Sequence, residues 1–203
     1  METVPEEIIE ETWNWLCELD ERSSDQLSKE FFKAQPALAV YCAAQEENLG
    51  DEDESSPMVE LTIALWKAMA RVNGGSLPIA TPEELEAAEE AITQQLQRLE
   101  QGSELDQRTY AARLVEKHNQ RELLRFGISI LMARHGEEPE LAPDFLGLEM
   151  IWLNTVVDCL DKLDPNAPPR PDLAVDLPDF DELDLSEGEL SESDLRNPSR
   201  PGL

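Results

Sequence analysis

Between Asp144 and Asp164 the chain reads DFLGLEMIWLNTVVDCLDKLD, and this stretch limits the possible folds more than any other. Phe145, Leu148, Trp152, Val156, Cys159 and Leu163 recur at steps of three and four, which places them on one side of an α-helix. Met150, Ile151, Leu153, Val157 and Leu160 extend the apolar surface around most of that helix. A helix with so few polar sides needs neighbours on nearly all of them. The rest of the chain must supply amphipathic segments to surround it.

The upstream sequence meets that need. From Pro5 to about Glu21, Ile9, Trp13 and Leu16 interleave with Ile8, Trp15 and Leu19 to describe one helix, whose first turn holds Glu6 and Glu7 at its positive end. Ser23 and Ser24 punctuate the chain before a helix from about Asp25 to Ala34, which packs through Leu27, Phe31 and Phe32. Pro36 lacks an amide hydrogen and biases Gln35 away from helical angles, so a third helix is expected from Pro36 to Asn48. Ser56-Pro57 opens a fourth, with Met58, Leu61, Leu65, Met69 and Val72 inward, and Asn73-Gly74-Gly75 stops it.

Thr81-Pro82-Glu83-Glu84 is the sharpest local signal, with Thr81 as the cap and Glu84 reaching back to it. The helix it opens packs through Leu85, Ala88, Ile92, Leu96 and Leu99. From Ser103 to His135 the helical pattern is nearly continuous. Asn119, with Glu122 three residues on, reads as a second capping box that divides this run into about 104–118 and 120–135, one long helix being the alternative. Gly136 is expected to end it. No long segment alternates as a strand would, so the fold expected is all-α: a single bundle of about seven helices, residues 1–164, around a central apolar helix at 144–164.

Beyond Asp164 the composition changes. Pro165, Pro168, Pro169, Pro171 and Pro178 come close together, and acidic and apolar residues then mix without enough apolar area to form a core. Residues 165–203 are expected to be a disordered acidic tail. From 166 onward ten acids face three bases, a charge of −7, which leaves −22 of the total −29 on the helical part.

That charge excludes several function classes. Binding to nucleic-acid backbone or to an anionic membrane depends on basic surface, so direct nucleic-acid and membrane partners are not expected, and no apolar run approaches the roughly 18–20 residues that span a bilayer. Cys17, Cys42 and Cys159 lie far apart in apolar helical contexts and read as reduced core residues. With an acidic amino terminus unlike a basic leader, they point to the cytoplasm.

No catalytic constellation stands out, and neither a metal nor a cofactor is expected. The acidic run Asp51-Glu52-Asp53-Glu54 resembles a calcium loop, but Ser56 occupies the position that needs glycine and Thr62 the one that needs a bidentate Glu. His118 and His135 lack the Glu three residues earlier that a carboxylate-bridged metal bundle uses. Ser129 in GISIL has no nucleophile elbow around it.

Two features point to partners instead. Arg113, Lys117, Arg121 and Arg125 would line one basic ridge if their helix were continuous, suited to the acidic tail or to an acidic partner. In the tail, Leu177, Phe180, Leu183 and Leu185 are set among Asp and Glu as in a segment that orders on a groove. The leading expectation is a non-catalytic adaptor or regulatory protein that offers acidic surface and this tail motif to a basic protein partner. The alternatives are a nucleic-acid mimic that occupies a DNA- or RNA-binding protein, and a ligand-binding bundle or enzyme. The sequence does not fix the oligomeric state.

Overall fold

The computed structural model describes residues 1–49, 57–100, 115–137 and 143–163. All regular structure among them is helical: α1 (Glu6–Cys17), α2 (Glu21–Ala34), α3 (Pro36–Leu49), α4 (Pro57–Val72), α5 (Pro82–Glu100), α6 (Arg121–Glu137) and α7 (Pro143–Lys162). The all-α bundle expected from periodicity is therefore what the chain forms. The tail expected beyond residue 164 lies outside the described residues.

The apolar stretch at 143–162 is central, as its composition demands. α7 packs against α3, α4, α5 and α6, and Trp152, Leu153, Val156, Val157 and Leu160 are buried. It does not hold that place alone. α4 packs against α1, α3 and α7, and every residue from Leu61 to Trp66 is buried, so this helix is enclosed on all sides over nearly two turns. Sequence periodicity predicts one buried face for α4; Ile63 and the small Ala64, Ala68 and Ala70 widen it, the alanines letting the neighbouring helices close in. One buried cluster draws on every helix and on Val4. Leu148, assigned to the inward stripe of α7, is 45% exposed, and its neighbour Glu149 is buried in its stead.

Local signals set most boundaries. Thr81 and Glu84 form the reciprocal cap, Thr81 N–H to Glu84 Oε2 at 2.9 Å and Glu84 N–H to Thr81 Oγ1 at 3.1 Å. Gly74 and Gly75 adopt φ of 88° and 93°, and Gly75 N–H closes α4 onto Ala70 O at 2.7 Å. Three boundaries differ from expectation, the first being the end of α1, which stops at Cys17 rather than about Glu21. α2 begins at Glu21 rather than Asp25, because the Asp20 carboxylate caps it by accepting the Ser23 N–H at 2.8 Å. α6 continues through Gly136 to Glu137. The helical run does break near Asn119, with residues 115–117 helical and a turn at 118–120. Asn119 is not the cap, however: its side chain is committed to the amino-terminal segment.

Candidate functional site

The first four residues run across one end of the bundle and are held by side chains distant in sequence. Val4 is fully buried and donates its N–H to Gln120 Oε1 at 3.0 Å. Gln120 Nε2 donates to Glu2 O and to Asp161 Oδ1, both at 2.8 Å. Asn119 Nδ2 donates to Met1 O at 3.0 Å and to Asp161 Oδ1 at 2.8 Å, while its Oδ1 accepts from Thr3 Oγ1 at 3.1 Å. Asn73, just past α4, accepts the Glu2 N–H at 3.0 Å. These amides pair the polar groups of an extended segment that no neighbouring strand could serve.

His118 continues the network. Its Nδ1 accepts the Gln120 N–H at 2.9 Å, so the ring proton sits on Nε2, 3.5 Å from Asp158 Oδ1. Burial of Asp158 pushes its carboxyl up, but hydrogen bonds from His118 and Lys162 outweigh that and hold it below the ordinary carboxylate value. Both histidine nitrogens are thus engaged in holding the turn. The roles of Gln120, Asn73 and Asp161 were not legible in the sequence, since contacts spanning 41 to 116 residues leave no local trace.

Other reactive groups are occupied or subdued. Ser129 is exposed and donates to Phe126 O at 2.7 Å. Burial, with the charges of Glu84 and Asp158, pushes the Cys159 thiol up to about 12. Cys42 is buried as well, whereas Cys17, read as a core residue, is exposed at the carboxyl end of α1. Among the described residues no group of three His, Cys, Asp or Glu could hold a metal ion. Arg134 on α6 meets the buried Glu149 on α7 at 3.2 Å, an ion pair joining two helices.

The basic ridge does not form as one line of free charge. Arg113 lies outside the described residues. The turn at 118–120 separates Lys117 from Arg121, and Arg121 Nε is bound to Glu122 at 2.9 Å. Arg125 is shared between Glu122 and Glu116. Neighbouring carboxylates pair with Arg121 and Arg125, as expected for a solvated face. Leu177, Phe180, Leu183 and Leu185 also lie outside the described residues.

What the fold leaves open is acidic and, in places, apolar. Along α1, Glu6, Glu7, Glu10 and Glu18 are exposed, and none has a cation within ion-pair distance among the described residues. Trp15, expected to pack inward, is 45% exposed among them, because Ile9 and the buried Thr12 take the inward positions. Thr12 is held by Arg71 NH1 at 2.8 Å, and Arg71 NH2 reaches Glu11 at 2.9 Å. These residues, with Trp15 and Lys67, line an open groove of about 500 Å³ between α1 and α4. Glu83, Glu86 and Glu90 form a second exposed acidic row on α5.

No described helix is long and apolar enough to cross a membrane. No family model, curated protein or solved structure matches the chain.

Proposed function

We propose that the chain is a non-catalytic, cytoplasmic interaction protein that binds a basic protein partner through its acidic surface and its tail motif. The observation carrying this reading is the outer side of α1 and its carboxyl cap, where Glu6, Glu7, Glu10 and Glu18 stand exposed near a half-exposed Trp15 with no cation at ion-pair distance among the described residues. Carboxylates four residues apart, such as Glu6 and Glu10, repel one another and weaken the helix by a few tenths of a kcal/mol. Neither that repulsion nor an exposed indole helps the fold, but both suit a partner bearing Lys and Arg. The field of the acidic surface steers such a partner in, and Trp15 offers it an apolar and cation-attracting face. Leu177, Phe180, Leu183 and Leu185 then add apolar contacts from the tail.

Capture from native extract tests the reading with full-length chains: wild type, a Glu7→Gln/Glu10→Gln/Glu18→Gln variant, and a Phe180→Ser/Leu183→Ser variant. The expected result is a basic protein recovered by the wild type, less of it by either variant, with recovery falling as salt rises. Equal recovery by the tail variant removes the tail from the mechanism. A captured nucleic-acid-binding protein that nucleic acid displaces would replace this reading with the phosphate-mimic one.

A further inference from the structure

From Pro36 to Gln45 α3 carries no charge, in a chain with 45 acidic residues. Leu38, Ala39 and Cys42 turn inward and are fully buried. The opposite side is open: Val40 is 66% exposed, Ala43 and Ala44 are exposed, and Ala37 and Tyr41 are half-buried beside them. α2, α4, α5 and α7 all pack on α3, and among the described residues none covers this side. Residues 37, 40, 41 and 44 follow the spacing by which one helix presents a seam to another, and their mostly small side chains allow a close approach, near the low end of the usual ~8–10 Å between axes.

The border of this strip decides what fits it. α5 packs beside α3, and while burial is the main reason the Tyr41 phenol is pushed up, the Glu89 carboxylate lies close enough to push it further. Glu86, one turn earlier on the same flank, is exposed. At the carboxyl end of α3 the sequence runs on into Glu46 and Glu47, while Lys33 is the exposed cation near its amino end. An apolar strip with acids along one flank and at one end complements a helix whose apolar stripe is edged by Lys and Arg. The same border disfavours a second copy, which would bring acidic surface against acidic surface. It disfavours residues 166–203 too, where ten acids face three bases.

We infer that the outer side of α3 docks a basic amphipathic helix of a partner protein. This rests on the acidic-interaction reading above and moves its apolar anchor from α1 to α3. The test titrates the ¹⁵N-labelled full-length chain with two synthetic helical peptides of equal positive charge, one with a leucine stripe and one with glutamines in its place. The leucine peptide should shift the amides of residues 37–45 and 86–90 and bind roughly ten-fold more tightly than the other, as expected for an apolar anchor. Val40→Ser should lower its affinity by a similar factor, and Ala44→Arg should abolish binding by bulk and charge. Both positions are exposed, and unchanged circular dichroism verifies the fold.

Equal binding of the two peptides, or shifts confined to α1, overturns the α3 assignment and leaves the acidic reading standing. Binding of neither peptide at low salt removes both. A dimer that Val40→Ser dissociates gives the surface to a second copy. Faster exchange of the 37–45 amides in full-length Phe180→Ser/Leu183→Ser gives it to the chain's own tail. Either outcome overturns the inference.

Discussion

At one end of the bundle, residues 1–4 lie under a net of amides from Asn73, Asn119 and Gln120, with Asp161 accepting at its centre. On the outer side of α3, Val40 and two alanines face outward, with nothing laid over them among the described residues. The first region is polar and internally paired, so it has little left to offer a partner. The second is apolar and unpaired, and covering it gains free energy that folding has not used. Where a fold has spent its interactions, a change registers as stability. Where it has not, a change registers as binding.

The interior sets the scale on which both regions are judged. Leu65 of α4 is fully buried, so Leu65→Ala should cost about 3 kcal/mol, from lost transfer energy and the cavity left behind. Urea unfolding measures it. A cost under about 1 kcal/mol would mean that α4 is not enclosed, and the contrast with α3, which resembles it in apolar content, would lose its basis.

Gln120→Ala comes next. It strips a partner from the buried Val4 N–H, from Glu2 O and from Asp161, and each orphaned buried group costs about 1–3 kcal/mol. Water can reach Glu2, which is exposed, so a total near 2 kcal/mol is expected. Amide exchange at Val4 should accelerate in parallel. If stability falls while Val4 stays protected, the net acts through something other than the amino-terminal segment.

The two regions were also unequally legible. The α3 boundaries follow from Pro36, and its lack of charge is plain in the sequence, yet that composition is equally consistent with a helix enclosed on every side. α4 is such a helix. Exposure depends on how many neighbours arrive, which no local pattern states. The clamp was opaque for a different reason. Asn119 announced a helix break correctly, but the break is stabilised by Thr3, Met1 and Asp161 and not by Glu122, which instead pairs with Arg121 and Arg125. A capping-box pattern near a chain segment needing partners is open to capture by that segment. Those two pairings of Glu122 are short-range relations of one and three residues that the sequence did contain.

Asp158 sharpens the comparison through pH. Its carboxyl is held below its ordinary value of 3.8 in the folded chain, so the stabilisation it contributes is fully present above that value. It is lost as pH falls through the lower folded value. Asp158→Asn should therefore lower stability by a constant amount at neutral and mildly acidic pH, and the gap from wild type should close only below about 3.8, when unfolding is followed across an acid series. A gap that closes well above that value would assign the dependence to a group other than Asp158.

The smallest effect is expected at Val40. The side chain is 66% exposed, so Val40→Ser gives up little buried area. Serine forms helix about as well as valine, and the change in unfolding free energy should stay within about 0.5 kcal/mol. Set beside Gln120→Ala in one experiment, the pair separates the regions: one substitution lowers stability and leaves affinity for the leucine-stripe peptide unchanged, and the other does the reverse. A loss above about 1.5 kcal/mol at Val40 would mean that a segment of the chain covers it, and α3 would then belong with α4 among the enclosed helices.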